Sequence, residues 1–126
     1  MVSRTTLARV RGHGASGSGT REYWHMKVTS YALLPLTVFL IGLLVTLAGA
    51  DHATVVATLS SPVFGLPLFL FILCNAVHMQ VGMQNVIDDY AARGPWRKPA
   101  VLANIFFSYG ASAAAAYFLL KLSLGQ

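Results

Sequence analysis

Charged side chains are absent from three long stretches of this chain. From Ser30 to Ala50 the only ionisable side chain is that of Tyr31. From Val63 to Ile87 only Cys74 and His78 ionise, and from Ala100 to Leu120 only Tyr109 and Tyr117. The stretches hold 21, 25 and 21 residues. At about 1.5 Å per residue, each spans the roughly 30 Å hydrocarbon core of a bilayer as a helix. The pattern predicts an all-α membrane protein with three transmembrane helices, at about 28–50, 62–91 and 99–122. They belong to a membrane domain at 21–126, preceded by a flexible basic arm at 1–20 whose GHGASGSGT is rich in Gly and Ser.

Local signals refine the boundaries. Tyr23, Trp24 and Lys27 suit a headgroup belt at the entry to the first span. Pro35 lies inside it and predicts a kink, and Gly49 with Asp51-His52 marks the exit. Ser60 and Ser61 are candidate caps for the second helix, with Pro62 at its first position and Pro67 further in. Gly94-Pro95 and Pro99 break the chain after Tyr90. The run Gly110 to Ala116 in the third span predicts a close packing face, and Asn104 and Ser108, four apart, can bond to another helix or locally.

Composition agrees with this picture: 56% of residues are hydrophobic and 10% charged, against about 25% charged in an average soluble domain. The chain offers no sizeable soluble core. The net charge of +5 could suggest a nucleic-acid partner, but its distribution argues for membrane orientation instead. Residues 1–29 carry Arg4, Arg9, Arg11, Arg21 and Lys27; residues 51–62 carry no Lys or Arg; residues 88–99 carry Arg93, Arg97 and Lys98; the tail carries Lys121. By the positive-inside rule the N-terminus and second loop are cytoplasmic, and the first loop and C-terminus face outward. The basic segment ahead of the first span, and that span's length, argue against a cleaved signal. Cys74 is the only cysteine, which excludes a disulfide and a thiolate cluster; it reads as a small buried apolar side chain.

The second span then poses a question. At about 100° per residue, with His78 at zero, Gly82 falls near 40°, Asn85 near −20°, Asp89 near 20° and Asn75 near 60°. This stripe of polar and small residues must face protein or a cofactor rather than lipid. His78 lies about 16 Å along the axis from Asp89, near mid-membrane. Three roles fit such a histidine: haem ligand, proton relay, or hydrogen bond to another helix. Gly82, one turn on, leaves room for a flat porphyrin. Asp88 and Asp89 sit at a helix C-terminus, where the macrodipole disfavours anions. Bases in the adjoining loop can compensate Asp88, while Asp89 continues the stripe. Tyr90 is ordinary as a belt residue, but its phenol can also donate a hydrogen bond to a ligand carbonyl beside Asp89.

The spacing H-x(3)-G-x(6)-D-Y, here His78, Gly82, Asp89 and Tyr90, resembles the D-type hydrophobic membrane anchor of succinate dehydrogenase, respiratory complex II. SGTREYWHMKVTSYALLPLTVFLIGLLVTLAGAD and AYFLLKLSLG also resemble bacterial members, so the likeness covers roughly residues 15–125. It implies a non-catalytic subunit in the bacterial cytoplasmic (inner) membrane. Its partners would be a C-type anchor, an iron–sulfur subunit and a flavoprotein subunit; flavin and iron–sulfur clusters would belong to those partners. The resemblance further implies haem b shared between the two anchors, with His78 as an axial iron ligand and Gly82 packing beside it. Tyr90 and Asp89 would contact ubiquinone, the electron-accepting substrate. Lys27 stands where the family usually has arginine near the haem propionates; it keeps the charge without the bidentate fork. A fumarate reductase anchor is the alternative within the class, favoured less by the histidine and the tyrosine. A non-redox scaffold or transporter component is the alternative outside it, and neither a repeat nor a broken helix pair supports transport.

Overall fold

The structure, a computed structural model, describes residues 18–91 and 94–125. Most of the expected basic arm, with Arg4, Arg9 and Arg11, lies outside the described residues, as does Arg93. Among the described residues four helices follow one another: α1 Ser18–Leu47, α2 His52–Ser60, α3 Pro62–Tyr90 and α4 Arg97–Ser123. Three of them, α1, α3 and α4, are long and apolar enough to cross a membrane.

Helix α1 starts at Ser18, inside the stretch expected to be arm, and runs through Pro35 without a break. Nothing between Arg21 and Thr29 opposes a helix: the segment holds no Gly or Pro, so the span's helix extends back through it. It ends at Leu47, where Gly49 adopts φ 83, the left-handed conformation that closes many helices.

The short α2 is a feature the hydrophobic pattern did not predict. Asp51 caps it, its carboxylate accepting the Thr54 backbone N–H at 3.3 Å. The bonds from Thr54 hold the Asp51 carboxyl below the ordinary carboxylate range. Ser61 then begins α3 as its N-cap, with Pro62 at the first turn, but the Ser61 side chain makes no capping bond. Its carbonyl instead accepts from Phe64 and Gly65, while Ser60 bonds back to the Val56 carbonyl. Gly65 eases a close approach, since a Cβ there would crowd the Leu59 carbonyl oxygen at 3.1 Å.

Helix α3 is the central element, packed against both α1 and α4, with α2 lying on α3 and α4. The register is antiparallel on both sides: Thr29 meets His78 while Phe39 stacks on Phe64, and Asn104 meets Gln80 while Ser123 approaches Gly65. Many large apolar side chains of all three spans are exposed, Leu34, Val63 and Phe106 among them, while Thr29, Asn104 and Ser108 are buried alongside Leu43, Ala76, Val81 and Ile87. This inverted pattern suits lipid, where apolar exposure is free and polar groups need partners. The Asn104 amide donates to the Gln80 carbonyl at 2.9 Å, and Ser108, fully buried, donates to Asn104 at 3.1 Å. Asn104 and Ser108 supply the buried polar part of the α3–α4 seam, and Ser112 and Ala116 of the run from Gly110 continue that face half-buried, while Gly110, Ala111 and Ala113 to Ala115 are exposed.

Candidate functional site

His78 sits twelve residues before the end of α3, and Thr29 eleven residues after the start of α1. The two helices run antiparallel, and these residues lie about 16–18 Å along them from the ends on that side. The structure joins them: Thr29 Oγ1 and His78 Nδ1 are 3.0 Å apart. The Thr29 hydroxyl also donates to the His25 carbonyl at 2.6 Å, with the Met26 carbonyl at 3.2 Å. Thr29 is 9% exposed and His78 half-buried.

Gly82 lies one turn further along α3, facing α1. A Cβ added there would meet only Met26 Cε at 3.6 Å, an ordinary contact. The chain's own packing therefore does not require glycine at 82, where Met26 of α1 already lies over the backbone.

At the end of α3 the two aspartates separate. Asp88 accepts from Gln84 Nε2 at 3.0 Å and forms an ion pair with Arg97 Nη2 at 2.7 Å, which offsets its poor position on the helix dipole. Both partners of that pair are about 40% exposed, so it is worth no more than about 1 kcal/mol. Asp89 and Tyr90 are exposed, Tyr90 to 89%, and the described residues contribute no hydrogen bond to either side chain. An exposed carboxylate and an exposed phenol thus stand on consecutive residues at the end of a membrane span, about 100° apart around the helix. Asn85, also on the stripe, is exposed as well.

Lys27 is not part of this cluster. Its Nζ lies 5.6 Å from the centre of the Tyr23 ring, and on the α1 wheel it is about 160° from Thr29. The residue that the sequence reading missed is Thr29. No signal in the sequence marked it: with the first span expected at 28–50, Thr29 falls at its entry, and only the extension of α1 back to Ser18 brings it level with His78. Among the described residues no three His, Cys, Asp or Glu side chains converge, so a metal held at His78 would take its other bonds from a cofactor or another chain.

Residues 1–119 match the family model described as succinate dehydrogenase/fumarate reductase transmembrane subunit. The chain is similar to the succinate dehydrogenase hydrophobic membrane anchor subunit of Paracoccus denitrificans, 32% identical over 121 residues, 96% of this chain and 93% of the relative. It is also similar to the subunit of the same description from Rickettsia bellii (strain RML369-C), 23% identical over 105 residues, covering 83% of this chain and 84% of the relative. No solved structure matches the chain.

Proposed function

The chain belongs to the succinate dehydrogenase/fumarate reductase transmembrane subunit family, and from that premise we propose that it binds haem b through His78 and presents Tyr90 and Asp89 to ubiquinone. As a multi-pass anchor subunit it works with the other subunits of its complex. Those we propose are a C-type anchor, an iron–sulfur subunit and a flavoprotein in the bacterial inner membrane, with the second haem ligand supplied by the C-type anchor. The polypeptide itself catalyses nothing alone.

The observation that carries the reading is the environment of His78. Its Nδ1 is held by Thr29 of α1, which leaves Nε2 as the nitrogen for a bond to iron. Gly82 is not required by the chain's own packing, and the flexible Met26 side chain is its one neighbour there, which is compatible with the same reading. Haem at this place supplies a one-electron carrier within the membrane. Around it, His78 holds and orients, and the apolar spans exclude water. Lys27 serves a propionate in this proposal only by releasing the Tyr23 ring and reaching round α1.

Asp89 ends the stripe and Tyr90 lies beside that end, where electrons from a soluble subunit would arrive. Exposure of both side chains at a span terminus supports their completion by neighbouring subunits. We place this end on the cytoplasmic side, with the C-terminus outward, from the distribution of Lys and Arg. A reporter enzyme active only outside the membrane should work when fused after Gln126 and fail when fused before Met1; the reverse result would overturn the orientation.

The reading as a whole is tested by purifying the native assembly from membranes and recording its reduced-minus-oxidised visible spectrum. A b-type spectrum and a co-purifying flavoprotein are expected. Lack of the spectrum would remove the haem assignment, and a scaffold role for His78 as an interhelical hydrogen bond would take its place.

A further inference from the structure

We infer that Thr29, on α1, is the positioning residue for the His78 ring: its hydroxyl oxygen accepts the Nδ1 proton and thereby fixes Nε2 as the ligating nitrogen. The inference deepens the proposed function and rests on the reading of His78 as an iron ligand.

The proton inventory carries it. A threonine hydroxyl has one proton to give and two lone pairs to receive. The Thr29 oxygen lies 2.6 Å from the His25 carbonyl oxygen. Two oxygens sit at that distance only with a proton between them, at the short end of O–H···O bonds. The Met26 carbonyl at 3.2 Å at most shares that proton. The hydroxyl proton is therefore committed along α1's own backbone, in the back-bonded geometry common for threonine inside helices. Toward His78, 3.0 Å away, the oxygen can only accept. That makes Nδ1 the protonated nitrogen, and a neutral imidazole carries one N–H, so the lone pair is on Nε2.

The geometry is more than incidental packing. Thr29 is 9% exposed, on the face of α1 turned to α3. Valine has nearly the same shape and would suit an apolar span, but would leave the Nδ1 proton without its acceptor. Histidines that bind metals regularly give their second N–H to such an acceptor, which orients the ring and raises its basicity. The Thr29 oxygen, already polarised by its own bond to the His25 carbonyl, is a stronger acceptor for that reason.

The test is a redox titration of b-type absorbance in the purified complex, combined with haem retention during detergent dilution. It compares wild type, Thr29→Val, Thr29→Ser and His78→Ala. In Thr29→Val a less basic imidazole raises the midpoint potential, and haem is held about 10–100-fold less tightly. Thr29→Ser keeps the hydroxyl and follows the wild type. An unchanged midpoint and retention in Thr29→Val, with the wild-type spectrum intact, overturns the positioning role alone. So does a Thr29→Ser variant that behaves like Thr29→Val. Thr29→Ala removes the hydroxyl without a branched side chain; loss of assembly in both Val and Ala variants would show the hydroxyl acting through folding and also overturn the inference. A b-type spectrum that is absent from the wild type, or intact in His78→Ala, would instead remove the ligand reading beneath it.

Discussion

His78→Ala is expected to eliminate the b-type spectrum of the complex while all three spans still insert. The two effects separate by magnitude. Within this chain, the substitution removes one interhelical hydrogen bond, to Thr29. Such bonds in membrane proteins average about 0.6 kcal/mol and reach about 1.7 kcal/mol. Thr29 is left without penalty, because its hydroxyl still donates to the His25 carbonyl. Helix propensity gains slightly from alanine. The fold thus tolerates the change. Toward iron the loss is of a different order: an axial nitrogen is removed, where disturbing even its hydrogen-bonded neighbour costs about 10–100-fold in affinity. The assembly should therefore be recovered with its flavoprotein, at reduced yield, and with no haem. A variant that retains the spectrum at the wild-type midpoint would place the ligand elsewhere.

The contrast between what sequence reading reached and what it missed follows the range of the interactions. The three spans depend on hydrophobic runs that any bilayer-crossing helix must have, and α3 begins at Pro62 because a proline is harmless there and the Ser61 carbonyl starts the ladder. The first helix is longer than its apolar run, since a helix nucleated in the membrane continues through Glu22 to Thr29 at little cost. Helix α2 escaped because HATVVATLS is short and rich in β-branched residues, a segment that reads as a loop. Its cap at Asp51 and its seat on α3 and α4 decide otherwise.

At the site, the His78 stripe was legible because lipid admits so few polar side chains that each one is informative. The stripe alone could not say which neighbour meets it. Thr29 is one of several hydroxyls in an apolar run, and its pairing with His78 depends on antiparallel register between residues 49 positions apart. The difference between Asp88 and Asp89 likewise depends on Arg97 reaching back across the loop. Once Arg97 and Gln84 have taken Asp88, the remaining carboxylate is the one beside the exposed phenol of Tyr90.

Tyr90→Phe is expected to lower ubiquinone reduction by about 100-fold in kcat while leaving the haem spectrum and succinate oxidation by a soluble dye unchanged. The substitution deletes one hydroxyl and nothing else. Tyr90 makes no hydrogen bond to the described residues and is 89% exposed, so its loss within the chain is negligible. During reduction, negative charge develops on the quinone carbonyl oxygen, so a donor aimed there helps the transition state more than the ground state. Removing one such donor in enzymes costs about 10²–10³ in kcat. A tyrosine that merely seats the helix end among headgroups makes the opposite prediction, because phenylalanine at that depth leaves turnover intact. Asp89 enters through the protons: each quinone takes two electrons and two protons to become quinol. A carboxylate beside the phenol can pass protons in from water, and an amide cannot. Asp89→Asn should therefore reduce turnover, with a deficit that widens as pH rises and bulk protons become scarce. Turnover of the Asn variant equal to wild type at every pH would end the proton role for Asp89, and normal turnover in Tyr90→Phe would end the quinone contact for Tyr90.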